Sequence, residues 1–406
     1  MGGDKLVNDV GKLLIKLGFK AYWPNGAIDI EKLSTSFTKP NKIEIDIIAK
    51  LGSVGFLIEV TTQKTGNKEK IRKFLDKLRA IEKSKLKLVE IAKLFSGIPV
   101  NETETFRDIE VWKGIYIGTG AEIIYENIKP EDFGANNELK ILNIDDWVYI
   151  SKLIECIGGY AKYELISFLD IEKFLEKGYE EDVKKIEPFK VENREITEIN
   201  GKKLSADIYL FSTSPSFLLK VCKVPRFYGL PDREAKIYYQ RMLNKNKLNQ
   251  MRKNFIKNSS LKSFPTPITL ILPPMVNENK KGKLEIPVKY GSLIIIDGQH
   301  RLYSYALLPD EVKENAKILV TGIKFHSEDT EEIRKFSART FIDINSEQLK
   351  VKTSLLYLIA YDSMGDTSDE ALAGKVISLC NTDLQSPLHD LFEGRALGRK
   401  SKFNIP

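Results

Sequence analysis

Two short constellations in this 406-residue chain carry residue types that can act on a phosphate group. The first pairs Asp46 with Glu59. From Ile43 to Thr62 the hydrophobic period drops to two, with Ile43, Ile45, Ile47 and Ala49 on one face and Glu44, Asp46, Ile48 and Lys50 on the other. Leu51-Gly52-Ser53-Val54-Gly55 reads as a turn. Phe56, Ile58 and Val60 return on the apolar face, leaving Glu59, Thr61 and Gln63 beside Glu44 and Asp46. A tight turn sets Asp46 across from about Thr61 and Glu59 across from about Ile48, so both carboxylates share one face on adjacent strands. Hard oxygen ligands on rigid strands suit Mg²⁺ and leave room for water and a phosphate oxygen. The same alternation also describes the wet face of an ordinary hairpin.

The second constellation follows the apolar run Leu293-Ile294-Ile295-Ile296, which enters Asp297-Gly298-Gln299-His300-Arg301 and then a helix through Ala306. Unpaired N–H groups at a helix start favour an anion, and Gly298 lets a phosphate approach the backbone. Arg301 can grip that phosphate with two N–H groups, His300 can donate as a cation or act as acid and base, and Asp297 can hold Mg²⁺ or cap the turn. The competing description is a plain Asp-Gly turn with a salt-bridged His-Arg cap. His326 and His389 fall in no ligand-like cluster.

These sites need a scaffold, and composition says one is present. With 42% hydrophobic and 29% charged residues the chain can bury a core, so disorder is excluded as the main state. The longest apolar runs fall far short of the roughly 18 to 20 residues that cross a bilayer. The amino terminus lacks the apolar core of a secretion signal, so the cytoplasm is the expected compartment. Cys156, Cys222 and Cys380 are far apart and read as reduced core residues rather than disulfides or a zinc site. The excess of 63 Lys and Arg over 56 Asp and Glu permits a polyanionic partner without requiring one.

Leu6, Val10, Leu13, Leu14 and Leu17 recur at helical spacing and predict a helix over 4–17. After the hairpin come a charge-rich helical stretch over 67–94, a strand over 109–117 and helices over 145–169. The charged stretch 170–200 reads as a helical connector, dividing the chain into domains over 1–170 and 201–406. The second half predicts a strand at 206–211, a basic helical stretch at 232–257, and strands at 293–296 and 318–325. Strands alternating with helices give an α/β (α+β) class in both halves. In the basic stretch Arg241, Lys245 and Arg252, interleaved with Tyr238, Tyr239 and Phe255, can track a DNA backbone, each neutralised phosphate adding about 0.9 to the salt slope. A solvated helix face with core aromatics is the alternative.

The leading helix, Glu-Ile-Asp-Ile-Ile-Ala-Lys over Glu44–Lys50, the turn, and Ile-Glu-Val-Thr-Thr-Gln over Ile58–Gln63 together resemble the PD-(D/E)XK restriction-endonuclease-like superfamily. The resemblance implies that Asp46 and Glu59 hold a metal. The lysine that the superfamily carries two residues after the Glu falls at Thr61, and losing one preorganised stabiliser of that kind costs roughly 3 to 4 kcal/mol. Gln63 shares the site face and Lys64 can swing in if the strand ends at Thr62, so both join the catalytic candidates.

Ile-Ile-Asp-Gly-Gln-His-Arg-Leu resembles the signature of the DGQHR-domain family, DndB-like and linked to DNA phosphorothioate modification. Tyr239-Gln240-Arg241, Phe341-Ile342-Asp343-Ile344-Asn345-Ser346-Glu347-Gln348 and Asp383-Leu384-Gln385-Ser386-Pro387-Leu388 fit the same family. That family is similar to the ParB/sulfiredoxin superfamily, which implies a phosphate pocket at Asp297, Gly298, Gln299, His300 and Arg301 and a nucleotide such as ATP or CTP. Family members are expected to run on past Ser386-Pro387, so a fragment is one reading of the chain. The functional expectation is a DNA-associated protein of a DNA-modification or phage-defence system, with DNA and other modification or restriction proteins as partners. It comprises a nuclease-like domain using Mg²⁺ and a phosphate-binding DGQHR domain. Its rivals are a non-catalytic DNA-binding regulator and an NTPase centred on the second site.

Overall fold

A computed structural model describes residues 3–24, 26–29, 42–62, 67–118, 139–171, 175, 182–199, 202–225, 242–257, 264–346, 357–358, 360–362, 365–382 and 385–388. The chain divides into two compact units, Met1–Ile154 with Leu165–Tyr179, and Glu155–Glu164 with Glu180–Pro406. Both combine helices with mixed sheets, in agreement with an α+β class.

The first unit opens with helix α1 (Gly3–Lys16), whose Leu6, Val10 and Leu14 are buried at the expected helical spacing. Then follow β1 (Lys20–Tyr22), β2 (Ile28–Asp29), β3 (Lys42–Ile43), β4 (Ile47–Leu51) and β5 (Val54–Val60). Helices α2 (Asn67–Ser84), α3 (Leu88–Leu94) and α4 (Val100–Thr103) lead to β6 (Val111–Gly118), β7 (Leu139–Asn143), α5 (Ile144–Ile157) and α6 (Lys162–Leu169). The sheet runs β1-β4-β5-β6-β7, antiparallel as far as β5 and parallel thereafter.

Two expectations for the hairpin change. The turn is only Gly52-Ser53, with Gly52 left-handed at φ +56°, so Leu51 pairs with Val54 and Ile47 with Ile58. Ile48 therefore pairs with Leu57 rather than with Glu59, and the register ends at Ile47, with Asp46 at the bend donating its N–H to the Ile58 carbonyl. The second change is a break at 44–46, where the alternation changes face: Ile43 and Ile45 share a core with Ile48 and Leu57, while β3 pairs with β2. That core also contains Ile71, Phe74, Leu75 and Leu78 of α2 and Ile91 of α3. The face carrying the carboxylates is therefore roofed by helices, and both faces of β4 and β5 are buried. The helical stretch after the hairpin is split by Lys85, left-handed at φ +56°.

In the second unit the described residues 182–199 of the expected helical connector form two strands, β8 (Val183–Ile186) and β9 (Phe189–Ile199). Hydrogen bonding to neighbouring strands, β14 for β8 and β10 for β9, overrides the charge-rich local composition. β10 (Lys202–Thr213), α7 (Pro215–Val221), β11 (Cys222–Lys223) and α8 (Lys245–Met251) follow, the last running into a π-helical turn at Arg252–Lys257. Next are β12 (Ile268–Ile271), β13 (Asn277–Glu278), β14 (Leu284–Pro287), β15 (Leu293–Asp297), α9 (Gln299–Tyr303), α10 (Asp310–Asn315), β16 (Ile318–Phe325), α11 (Thr330–Ser346) and α12 (Asp369–Thr382). The larger sheet runs β11-β15-β12-β16-β10-β9, and β13-β14-β8 form a smaller one. Phe336 and Phe341 of α11 pack on Ile271, Ile296, Ile323 and Phe325 of the larger sheet.

Phe74 ties α2 to the first sheet: it is fully buried, its ring centroid 6.3 Å from that of Tyr116 on β6. Phe74→Ala should cost roughly 3 to 5 kcal/mol. Trp23, Trp112 and Trp147, the chain's three tryptophans, all lie in this unit, so a lower denaturant midpoint in tryptophan fluorescence is the expected reading.

Candidate functional site

Asp46 sits at the bend before β4 and Glu59 one residue before the end of β5, near enough for the charge of Asp46 to act on Glu59. The Asp46 backbone N–H donates to the Ile58 carbonyl at 3.1 Å, and its Oδ2 accepts from the Val60 N–H at 2.7 Å. One carboxylate oxygen is thus used to hold the strand end. Burial raises the pKa of both acids. For Asp46 the Val60 hydrogen bond and the charges of Lys77 and Lys70 oppose that rise, and for Glu59 Lys77 opposes it while the Asp46 charge adds to it.

Helix α2 supplies the counter-charge. Lys77 Nζ lies 3.0 Å from Glu59 Oε2 and donates to the Glu44 carbonyl at 2.8 Å. The two side chains are 14% and 23% exposed, so water screens this pair poorly. Lys70 Nζ donates to Thr61 Oγ1 at 2.9 Å. Residues seven apart share a helix face, which lets one helix deliver both ammonium groups to one end of the hairpin. Tyr116 lies beside Glu59 in the parallel register of β5 and β6. It is fully buried, its hydroxyl has no hydrogen-bond partner among the described residues, and burial with the nearby Glu59 charge pushes its pKa up. Lys70, Lys77 and Tyr116 were not among the sequence candidates. The one available signal was the heptad-spaced lysine pair inside a helix immediately following the hairpin.

Among the described residues no group of three or more His, Cys, Asp or Glu is arranged to hold a metal. A pair of carboxylates nonetheless fits Mg²⁺, which keeps several waters and takes one or two carboxylates together with substrate phosphate oxygens. The ligand set here is hard oxygen throughout. Gln63 and Lys64 lie outside the described residues.

At the second constellation Asp297 ends β15, Gly298 is left-handed at φ +94°, and α9 is a five-residue helix. A Cβ on Gly298 would stand 2.6 Å from Ile268 Cγ2, which explains the glycine by packing as well as by φ. Arg301 folds back: Nη2 pairs with Asp297 Oδ2 at 2.5 Å and Nη1 donates to Thr266 Oγ1 at 2.5 Å. His300 Nε2 accepts from the Asn244 N–H at 3.1 Å. Gln299 is buried. The motif therefore locks strand, turn and helix together, with Arg301 and His300 both turned to internal partners.

The expected DNA-facing residues are similarly placed by internal bonds. Arg252 donates from Nε to the Ser304 carbonyl at 2.8 Å, from Nη1 to Asn249 Oδ1 at 2.7 Å and from Nη2 to the Cys156 carbonyl at 3.3 Å. Lys245 pairs with Glu155 at 3.0 Å on the surface, and Arg241 lies outside the described residues. His326, which the sequence leaves without a cluster, joins one: Nδ1 is 3.0 Å from Ser205 Oγ and Nε2 is 3.2 Å from Asp207 Oδ1. Lys190 extends that network to Asp207, Glu192 and Glu278, and the Tyr209 hydroxyl donates to Glu278. Ser205, Asp207 and Tyr209 at alternate positions of one strand were its sequence trace.

Residues 198–380 match the model of the DndB family, described as DNA-sulfur modification-associated. No curated protein and no solved structure matches the chain. No helix among the described residues is long and apolar enough to cross a membrane.

A raised carboxylate pKa means the folded state is penalised while Asp46 is charged, and the penalty fades as pH falls through the raised value. Asp46→Asn keeps an acceptor for Val60 and removes the charge. Its unfolding midpoint without added metal should exceed the parent's by on the order of 1 to 3 °C at about pH 8, with the gap closing under acid conditions in parallel thermal scans. Gly298→Ala should lower stability by roughly 1 to 3 kcal/mol, read from the urea midpoint, because it meets both a forbidden φ and Ile268.

Proposed function

We propose that this chain is a DNA-associated component of a DNA-modification system, in which the first unit is a Mg²⁺-dependent phosphodiester-cleaving domain of restriction-endonuclease-like type. The association with DNA modification is supported by the family match over 198–380. The cleavage reading is carried by one observation: Asp46, held at the hairpin end by the Val60 N–H, lies near Glu59, beside a helix whose lysines balance both charges. A leading helix followed by the antiparallel strands β4 and β5 keeps the chain order that the sequence resemblance implies.

Two carboxylates and two ammonium groups sum to zero charge, so the pair is tolerated in its buried position without a metal. A bound Mg²⁺ would lower the pKa of a bound water and polarise the phosphoryl oxygen. Asp46 and Glu59 would hold it, Asp46 being oriented by the Val60 N–H and Glu59 by Lys77. With the ion present the cluster becomes net positive, which favours the negatively charged backbone of DNA over neutral substrates.

Asp46→Ala and Glu59→Ala should each reduce Mg²⁺- or Mn²⁺-dependent nicking of supercoiled DNA by at least about 100-fold with the fold intact by circular dichroism. Equal nicking by parent and variants would refute the assignment. The absence of a lysine at position 61 favours a second reading, a DNA-binding regulator that cuts nothing; metal-indifferent DNA affinity together with an inert parent protein would select it. An NTPase at Asp297–Arg301 has less support, since Arg301 is held by Asp297 and Thr266.

A further inference from the structure

We propose that Lys70 of helix α2 is the catalytic cation of the Asp46–Glu59 site, the ammonium that meets the scissile phosphate and the attacking water. It takes the task that the strand residue Thr61 lacks the charge to perform. The inference rests on the phosphodiester-cleaving reading of this site and adds a residue to it.

The geometry points to Lys70 rather than to a residue of the strand. Thr61 lies two positions after Glu59 on the same face, and its hydroxyl accepts the Lys70 ammonium at 2.9 Å. The charge therefore stands within one hydrogen bond of the side chain expected to carry it. Strand packing explains why position 61 does not carry it directly. Thr61 is 5% exposed, and the neighbouring β6 approaches so closely that a Cβ on Gly118 would lie 2.9 Å from Thr61 Cγ2 and 2.8 Å from Tyr116 Cε1. A four-carbon stem has little room in that seam. A helix roofing the same face can reach it from above.

The two lysines of α2 are placed for different tasks. Lys77 is bound to Glu59 Oε2 and to the Glu44 carbonyl, which makes it the standing partner of a metal carboxylate. Lys70 donates to a neutral hydroxyl, a weaker hold than a carboxylate, so it can turn toward an incoming phosphate at small cost. Tyr116 lies beside Glu59 on β6, fully buried and with its hydroxyl unpartnered among the described residues.

The test separates the Lys70 charge from its bulk. Lys70→Cys should lower the nicking rate at saturating Mn²⁺ and DNA by about 100- to 1000-fold, the range for losing one preorganised stabiliser of transition-state charge. Mn²⁺ affinity, measured by calorimetry, should stay within about threefold, because Lys70 is not a ligand. Treating that variant with 2-bromoethylamine converts the cysteine to a lysine-length ammonium and should restore at least about tenfold of the loss. Cys156 and Cys222 are buried, and a Cys380→Ser background removes the partly exposed thiol. Thr61→Val, which removes the hydroxyl that accepts from the ammonium, should give an intermediate loss.

Cleavage by Lys70→Cys within threefold of the parent overturns the inference while leaving the Asp46–Glu59 assignment standing. So does an alkylated protein that stays at the level of the untreated variant. A parent protein that binds Mn²⁺ yet cuts no DNA overturns both together.

Discussion

Burying two acids under a helix is the constraint around which the first unit is arranged. Neither Asp46 nor Glu59 can be charged at that depth without compensation, and the compensation comes from outside the hairpin. Lys77 closes on Glu59 and Lys70 closes on Thr61, both from α2. The hydrophobic seat of that helix, with Ile71, Phe74, Leu75 and Leu78 against Ile48, Leu57 and Tyr116, is therefore also what positions the charges. Packing and electrostatics are one design here: a helix that slips by one residue would turn both ammonium groups away from the acids they offset.

The second unit solves a different problem with similar residue types. Its Asp-Gly-Gln-His-Arg segment has every group expected of a phosphate cradle, yet the guanidinium bonds its own Asp297 and the imidazole accepts a main-chain N–H. The result is a stiff junction between β15 and the core helix turn, and Arg252 reinforces it by binding the Ser304 carbonyl just beyond α9. A polar network instead joins β9 and β10, where Lys190 gathers Asp207, Glu192 and Glu278, and His326 bridges Ser205 to Asp207.

Much of the scaffold was legible from local pattern. Helix α1 and strands β6, β15 and β16 fall where periodicity placed them, because each buries a face whose period is set by its own backbone geometry, whereas the hairpin kept its place but not its expected turn or register. The connector over 171–200 was not legible. Its charged residues look helical in isolation, and only the ladders with β10 and β14 make strands of 183–186 and 189–199. The short strand β7 and the helical state of Phe341–Ser346 were likewise decided by neighbours rather than by propensity.

For the candidate site the division is clear in physical terms. Residue types and period-two alternation were sufficient to select Asp46 and Glu59, although Asp46 falls at the bend before β4 rather than in the strand. The hairpin register came from a two-residue turn that only the folded hairpin reveals, and the burial came from a helix placed over a face that alternation alone would leave wet. The cations came from residues 11 and 18 positions beyond Glu59, joined to it through space by the packing of α2. Local sequence determines which way a side chain points along its own element; which other elements it meets is decided by the tertiary core.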